Sequence, residues 1–168
     1  KKIMNTYREI QKKAYKKNDN NFCSVIATAL TMNLNYDLVH AKFAQNGRIN
    51  GKGVPWYQIK KNIEQLAKKH GFKLTSYKAK FINDVDWVWV DEDNNFLCKS
   101  NLTVNNARDH LGRGTYMLGI RRHALAYVNG SVKDWSNNRK FKIDAILKIE
   151  KKVKERNFSK NDFLKFIK

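Results

Sequence analysis

The 168-residue chain has only two cysteines, a single proline and no apolar run that approaches the length of a membrane span. Two cysteines are too few for a disulfide-stapled scaffold, and with four scattered histidines they show no zinc-site spacing. No linker rich in glycine or serine interrupts the chain, so we predict one domain over 1–168. The start of the sequence lacks the pattern of a signal peptide, which predicts that no such peptide exports the protein.

Acidic residues are also scarce, with 15 Asp and Glu against 34 Lys and Arg, a net charge of +19. Residues 1–22 hold seven basic and two acidic side chains, and residues 139–168 hold eleven and four. We therefore predict basic N-terminal (1–22) and C-terminal (139–168) extensions, typical of attraction to nucleic acid or another polyanion. A solvated lysine-rich face is the alternative. Because lysines outnumber arginines 26 to 8, sequence-specific reading of DNA bases is disfavoured.

What the chain does contain is enough apolar sequence for a core, 42 % of all residues. In the N-terminal half, apolar spacing and capping signals predict four helices. They cover 3–16, 23–31, 36–46 and 55–70. Asn35 is expected to cap the third helix, Pro55 to open the fourth and Gly71 to end it.

Strand patterns follow after residue 71. FKLTSYKAKF (72–81) alternates at period two, and GTYMLGI, HALAYV, SVKDW and FKIDAILKI have the composition of strands. We also predict a short helix over 104–111, capped by Thr103, and a basic helix over 160–168. Helices first and a mainly antiparallel sheet second predict the α+β class.

Cys23 follows the polar run Asn18-Asp19-Asn20-Asn21, which favours a turn, and it begins an apolar helix. A sulfur at the positive end of a helix is stabilised as the thiolate, the nucleophilic form. Cysteines on apolar helices also commonly serve as packing residues. The position of Cys23 alone leaves both roles open.

A second candidate feature is a histidine and an aspartate on either side of the dipeptide Asn129-Gly130. That dipeptide is the strongest short signal for a hairpin with a type I′ turn. With that dipeptide as the loop, His123 and Asp134 become diagonal neighbours on one sheet face, about 7–8 Å apart between backbones. An acid there would fix the tautomer of the imidazole and stabilise its protonated form. A surface pair on an exposed face is the alternative.

The order of three motifs in this chain resembles the papain-like cysteine peptidase superfamily, and more narrowly the small papain-like proteins of bacteria and bacteriophages. The motifs are NNFCSVIATAL, GRINGKG and GTYMLGIRRHALAYVNGSVKDW. The resemblance spans about residues 18–136 and covers neither basic end. It implies a papain-like fold with N-terminal helices packed on the sheet.

The resemblance also implies roles for individual residues. Cys23 would be the nucleophile, His123 the general base and then acid, and Asp134 the residue that orients the imidazole. Members of the superfamily place a glutamine about six residues before the cysteine to hold the oxyanion, and this chain has Lys17 there. Asn18 is the nearest side chain that would replace the glutamine, with the backbone N–H of Cys23 as the second donor, and loss of one donor costs about 3–4 kcal/mol. Asn20 and Asn21 are weaker substitutes whose main role is expected to be turn formation.

Two glycines of the GRINGKG loop, Gly51 and Gly53, together with Trp135, are expected to rim the substrate cleft. The loop lacks the Gly-Lys-Ser/Thr ending of a phosphate-binding loop and does not follow a strand. Of Arg121 and Arg122, adjacent on the chain, at most one is expected to face the cleft.

These features predict a papain-like cysteine hydrolase, a peptidase or amidase of phage or bacterial origin that acts on a protein or peptide without metal or cofactor. It would work in the cytoplasm of a host cell or inside a virion. The alternative is a weak or inactive papain-like scaffold that binds nucleic acid or another polyanion, for instance an internal virion protein. A cell-wall amidase delivered by a virion is a third hypothesis.

The remaining histidines and the second cysteine are assigned structural roles. His40 is expected to be a packed or half-exposed residue in the middle of its helix. His70 and His110 lie in last turns, where a cationic imidazole suits the helix dipole. Cys98 is predicted to be a core residue of a strand.

Overall fold

The computed structural model describes residues 6–99 and 101–153, and these form five helices and seven strands. The helices are α1 (Tyr7–Lys16), α2 (Cys23–Met32), α3 (Tyr36–Gln45), α4 (Trp56–His70) and α5 (Ala107–Leu111). The strands are β1 (Phe72–Ile82), β2 (Asp86–Val90), β3 (Phe96–Lys99), β4 (Tyr116–Ile120), β5 (His123–Val128), β6 (Ser131–Lys133) and β7 (Ile143–Lys151). The predicted helix over 160–168 and the first residues of the one predicted over 3–16 lie outside the described ranges.

One antiparallel sheet contains all the strands of the described residues, in the order β3-β2-β1-β7-β4-β5-β6. Four helices precede it in the chain, so the predicted α+β class is confirmed. β7 comes from the basic C-terminal segment and lies between β1 and β4. α1 comes from the basic N-terminal segment and buries Ile10 and Ala14 in the core. The boundaries predicted from charge, 1–22 and 139–168, therefore do not coincide with the edges of the packed fold.

The helices before the sheet begin and end where the sequence provides caps. Thr6 and Glu9 form a reciprocal capping box at α1. Oδ1 of Asn35 accepts a hydrogen bond of 2.8 Å from the backbone of Asp37 at the start of α3, as predicted. α4 ends at Gly71, whose φ of 78° is the left-handed conformation that glycine adopts without strain.

The short helix α5 departs from its prediction, which placed the cap at Thr103 and the first residue at 104. Asn106 occupies the N-cap position, and its Oδ1 accepts a hydrogen bond of 2.8 Å from the backbone N–H of Thr103. That bond closes a turn over residues 103–106, so the helix starts three residues later than predicted. Thr103 itself forms an isolated bridge with Lys142.

The core has two parts, one on each face of the sheet. On the helical face, residues of α1 to α4 pack against Met117, Ala124 and Leu147, whereas Leu118 and Ile146 belong to the cluster on the other face. Successive residues of a strand point to opposite faces, so β4, β5 and β7 are buried on both sides. Their nearly continuous apolar runs follow from this double burial.

The β5–β6 hairpin has the predicted turn and register. Asn129 and Gly130 form the loop with φ angles of 48° and 89°, as a type I′ turn requires. The paired residues are Val128 with Ser131, Tyr127 with Val132, and Ala126 with Lys133. Asp134 follows the last residue of β6, and α2 packs against β5, so the hairpin carries His123 and Asp134 to the start of α2.

Candidate active site

Cys23 is the first residue of α2, where the helix N–H groups are not capped by a side chain. Burial alone would raise the pKa of its thiol. A hydrogen bond with His123, backbone N–H groups of Ala124 and Ser24 and the charge of the imidazole outweigh that effect and hold the pKa below its usual value. The sulfur is therefore stabilised as the thiolate.

His123 is the first residue of β5, and its ring lies between two partners. Nε2 is 2.8 Å from Oδ2 of Asp134, so the other ring nitrogen, Nδ1, is the one left for the Cys23 thiol. Burial lowers the pKa of the imidazole, but the hydrogen bonds and charges of Asp134 and Cys23 raise it to about 9. At neutral pH the ring is held as the imidazolium.

The carboxylate that orients His123 is itself held in place. Oδ2 of Asp134 accepts a hydrogen bond of 2.5 Å from the hydroxyl of Ser136 and one of 3.1 Å from its backbone N–H. Ser136 is fully buried, and the side chain of Asp134 is only 4 % exposed. Ser136 therefore holds Oδ2 of Asp134, the oxygen that contacts the imidazole, in place.

Cys23, His123 and Asp134, the three residues predicted to act together, thus lie side by side. The thiol pKa is lowered and the imidazole pKa is raised, which is the signature of a thiolate–imidazolium pair. Such a pair combines a nucleophile with an acid that can protonate a leaving group. The arrangement is chemically suited to acyl transfer.

Trp135 lies beside this group but outside the cleft wall. Its ring centroid is 5.0 Å from that of His123 at an interplanar angle of 41°, and 54 % of the residue is exposed. The indole therefore covers one side of the imidazole and limits access of water to the bond between His123 and Asp134.

A cleft of about 520 Å³ opens in front of Cys23 and His123. Its walls are formed by α4, the loop before α4 and the ends of β4, β5 and β7. The other lining residues are Asn21, Gly53, Val54, Pro55, Trp56, Ile59, Gly119, Ile120, Arg122, Ala124, Asp144 and Ala145. Arg122 lines the cleft and Arg121 does not. Both lie in the turn between β4 and β5, where Arg122 has a φ of 55°, so the difference comes from the turn and not from the predicted strand alternation.

Gly119 forms part of the cleft wall. A Cβ on this residue would lie 2.9 Å from Cβ of Ala145, 3.2 Å from Oδ1 of Asp144 and 3.4 Å from the indole of Trp56. The first distance is shorter than real Cβ contacts, so any side chain here would displace its neighbours. The shape of the cleft beside the Cys23 thiol therefore depends on glycine at position 119.

A buried ion pair joins the turn before Cys23 to the GRINGKG loop. Oδ2 of Asp19 lies 2.8 Å from Nη1 of Arg48, and Oδ1 accepts hydrogen bonds from Nη2 of Arg48 and from the backbone of Asn21 and Gly51. Burial would raise the pKa of Asp19, but these partners hold it below its usual range. Nη2 of Arg48 also donates to the carbonyl of Asn21 at 2.7 Å.

Three of the residues predicted for the oxyanion or the cleft do not line the cleft, namely Gly51, Asn18 and Trp135. Gly53 lines the cleft, but Gly51 does not, and its N–H is used by Asp19. Asn18 is exposed in the turn with a φ of 56° and does not line the cleft. Asn21, expected to be mainly a turn residue and a weaker substitute for that donor, does line it.

Among the other candidates, Cys98 is 4 % exposed and burial raises its pKa to about 11, as befits the core residue predicted. His40 is half-buried, within its prediction, and its Nε2 is 3.1 Å from Oδ1 of Asn50 and 3.7 Å from Oδ2 of Asp19. Burial and the charge of Lys69 lower the pKa of His70, so the predicted cationic imidazole at the end of α4 is wrong. Over residues 6–99 and 101–153, no group of three or more His, Cys, Asp or Glu side chains is arranged to hold a metal ion.

Sequence reasoning missed Asp19, Arg48 and Ser136. Asp19 is predicted only as a turn former and Arg48 only as part of the loop at the rim of the cleft, although a lone arginine among glycines is a signal for a buried partner. Ser136 is two residues after Asp134, a spacing at which a hydroxyl can bond back to a carboxylate.

Comparisons with protein-family models, curated proteins and solved structures found no match to this chain. Within the described residues, no helix is both long and apolar enough to cross a membrane.

Proposed function

We propose that this protein is a papain-like cysteine hydrolase, a peptidase or amidase that transfers an acyl group through a thioester on Cys23. The observation that carries the proposal is the position of His123, hydrogen-bonded to Asp134 through Nε2 and to the Cys23 thiol on its other side. The placement of the cysteine at the head of a buried helix and of the histidine at the start of a packed strand supports the papain-like assignment.

In this proposal, the Cys23 thiolate attacks the carbonyl carbon of the substrate and forms a C–S bond. The tetrahedral oxyanion collapses, the bond to the leaving group breaks, and the imidazolium of His123 gives that group its proton. Neutral His123 then takes a proton from water, which attacks the thioester and releases the acid and the thiol. Asp134 keeps the ring in one orientation through both steps.

The proposal is tested by alkylation with iodoacetamide at neutral pH, with peptide mapping to separate the two cysteines. Cys98 is the internal control, because its pKa is raised and it is buried. Cys23 is expected to react at least about 100-fold faster than Cys98. His123→Ala should slow Cys23 by at least about tenfold, since each pKa unit changes the thiolate fraction by that factor.

Equal and slow labelling of both cysteines in the native protein would contradict the proposal. Rapid alkylation of Cys23 that does not slow in His123→Ala would contradict the assigned role of the imidazole. Thermal melts of both proteins check that the variant is folded.

A second function is favoured by the surface of α1. Its exposed residues include five basic side chains on and just after the helix, namely Arg8, Lys12, Lys13, Lys16 and Lys17. Their proximity supports sequence-independent binding of a polyanion such as duplex nucleic acid. Such binding would accompany hydrolysis if the site is active. If the site is inactive, binding would be the function of the protein.

This second proposal predicts binding to a mixed-sequence DNA duplex that weakens steeply with salt and does not respond to Cys23→Ala. The double variant Lys12→Gln/Lys16→Gln should lower the slope of log K against log salt by about two. The measurement is fluorescence anisotropy over a salt series. Absence of binding at low salt would remove the proposal.

A further inference from the structure

β1 changes its partner strand halfway along its length, and a second cavity lies where it does so. Residues 72–77 of β1 pair with β7, whereas residues 78–82 pair with β2. The first residues of β7, 143–145, are therefore paired with β4 but not with β1. The sheet forks at this point, and the fork encloses a cavity of about 570 Å³, which we call the fork cavity. Its walls are residues 76–79, 144–146, Trp89, Asp91, Glu92 and two residues of α4, Trp56 and Lys60.

The fork cavity adjoins the cleft in front of Cys23. Trp56, Asp144 and Ala145 line both spaces. Ala145 lies two strands away from Ala124, whose backbone N–H hydrogen-bonds the thiol, and neighbouring strands are about 4.8 Å apart. The shared wall is therefore about 10 Å from the backbone that holds the sulfur, the span of about three residues of an extended peptide.

A β-bulge brings Asp144 to this shared wall. Ala145 pairs with Gly119 and Ile143 pairs with Ile120, so two steps along β7 oppose one step along β4. Asp144 is the extra residue, and a bulge of this kind re-aims a side chain away from the regular alternation of the strand. Asp144 accordingly lines the same two spaces as its neighbour Ala145.

The fork cavity is acidic in a strongly basic protein. It contains three carboxylates, Asp91, Glu92 and Asp144, and two ammonium groups, Lys60 and Lys78, although the chain has a net charge of +19. Within residues 6–99 and 101–153, none of these five groups forms an ion pair. The two lysines therefore do not neutralise the carboxylates, which can attract a cation from outside the chain.

Two tryptophans complete a site for a basic peptide. Partial burial raises the pKa of Asp144, and the charge of Lys142 does not offset this effect. A carboxylate beside the indole of Trp56 favours an ammonium or guanidinium group through charge and cation–π attraction. Trp89 is 5 % exposed, and its Nε1 has no hydrogen-bond partner among the described residues. Burying an N–H without an acceptor is unfavourable, and a carbonyl of a bound peptide would supply the acceptor.

We infer that the fork cavity binds a lysine or arginine side chain of a polypeptide whose scissile carbonyl lies at Cys23. This inference rests on the proposed hydrolase and names its substrate class, a basic polypeptide. The cationic group lies among Asp144, Glu92 and Trp56, and Trp89 donates to a backbone carbonyl. The net charge of the chain repels such a peptide, so the affinity must come from these local groups.

The test measures peptide binding to the whole chain carrying Cys23→Ala, which cannot turn the peptide over. Three pentapeptides with blocked ends and a rhodamine label differ only in the central residue, which is lysine, norleucine or glutamate between pairs of alanines. By fluorescence anisotropy, the lysine peptide should bind at least about tenfold more tightly than the norleucine peptide, and the glutamate peptide should bind most weakly. Attraction to the net charge of +19 alone would give the opposite order.

Variants locate the site. Asp144→Asn and Glu92→Gln each remove one charge and should each lower the preference for lysine over norleucine by about two- to fivefold. Asp91 is left unchanged, because its carboxylate accepts hydrogen bonds from the backbone of Asp93 and from Asn95. The matched control is Asp93→Asn, which removes a charge from the same turn as Glu92 but does not line the cavity. It should keep the native preference.

The indole donor has a different signature. Trp89→Phe removes the N–H and should weaken all three peptides alike by about two- to tenfold, because each peptide has the same backbone carbonyls. A thermal melt checks that the variant is folded. A loss confined to the lysine peptide would overturn the assigned role of Trp89.

The position of the scissile bond is tested in the native protein. With the lysine peptide at ten times its Kd, alkylation of Cys23 by iodoacetamide should slow by about tenfold, because only the unbound protein reacts. Alkylation at the unchanged rate would overturn the path from the fork cavity into the cleft.

The outcomes separate this inference from the proposed hydrolase. Equal binding of the lysine and norleucine peptides, or a preference that persists in both Asp144→Asn and Glu92→Gln, overturns the fork cavity as the site. An equal loss in Asp93→Asn does the same. None of these results changes the reactivity expected of Cys23. A lysine preference in a protein whose Cys23 is never acylated overturns the hydrolase and leaves the binding site.

Discussion

The two cysteines of this chain show what makes a thiol reactive in a folded protein. Both are removed from water, and for both, burial alone pushes the pKa upward. Cys98 has no compensating partner, and its pKa rises to about 11. Cys23 has His123 and two backbone N–H groups around its sulfur, and its pKa is lowered instead. The polar partners, not the degree of burial, decide which of the two thiols has a lowered pKa.

The largest effect is expected when the two thiols, which differ in pKa, are removed one at a time. Cys23→Ala should lower acyl transfer by about 10⁶-fold, because the nucleophile of a catalytic triad is lost. Cys98→Ala should leave the rate unchanged, since the residue lies in the core cluster on the other face of the sheet. Both rates are measured by release of p-nitrophenolate from p-nitrophenyl acetate. Comparable losses in the two variants would contradict the assignment.

A smaller effect is expected from removing the Asp134 carboxylate that hydrogen-bonds to His123. Asp134→Ala should lower acyl transfer by about 10²–10⁴-fold, because the imidazole loses both its orientation and the charge that raises its pKa. Asp134→Asn keeps an acceptor oxygen and loses only the charge, so it should fall between Asp134→Ala and the native protein. The measurement is the acylation rate beside a thermal melt. Full activity in a folded Asp134→Ala protein would remove Asp134 from the mechanism.

The pH profile of acyl transfer should be bell-shaped. Because the pKa of Cys23 is lowered, the thiolate persists to a pH below the usual thiol range, which places the acid limb there. Because the pKa of His123 is raised to about 9, the imidazolium is lost only around that pH, and the rate should then fall by about tenfold per pH unit. Initial rates across pH, with His123→Ala as the control, check both limbs. A rate that rises steadily through pH 9 would contradict the imidazolium.

The smallest expected effect concerns stability. Cys98→Ala leaves a small void in the core, and we expect the free energy of unfolding to fall by about 1 kcal/mol. The alkylation rate of Cys23 should not change. Urea unfolding gives the first quantity and peptide mapping the second. A change in Cys23 reactivity would show that the two thiols are coupled through the sheet.

Local signals predicted most of the fold and the central part of the site. The Asn129-Gly130 turn fixes the register of its hairpin. That register is enough to predict that His123 and Asp134 lie close together on one face of the sheet. Their contact of 2.8 Å needs no information from the rest of the chain. Turn conformation and strand alternation are short-range properties, which is why the sequence is sufficient for them.

Other features depend on contacts between distant segments and could not be predicted. Asp19 and Arg48 are 29 positions apart, and only the packed fold shows that they form a buried pair. The sequence also does not show which asparagine of the turn lines the cleft, because Asn18 and Asn21 are both turn-forming residues next to a helix. The predicted Thr103 cap is wrong partly because Thr103 pairs with the distant Lys142 in an isolated bridge.

Gly119 has a consequence for selectivity. A glycine inside a strand weakens the sheet by about 0.5–1 kcal/mol relative to alanine, so the fold gives up stability at the place where the cleft needs room. One methyl group there would press on Ala145, Asp144 and Trp56. In the proposed hydrolase, the size of the acyl group admitted to the cleft would therefore be adjustable by a single carbon atom at position 119.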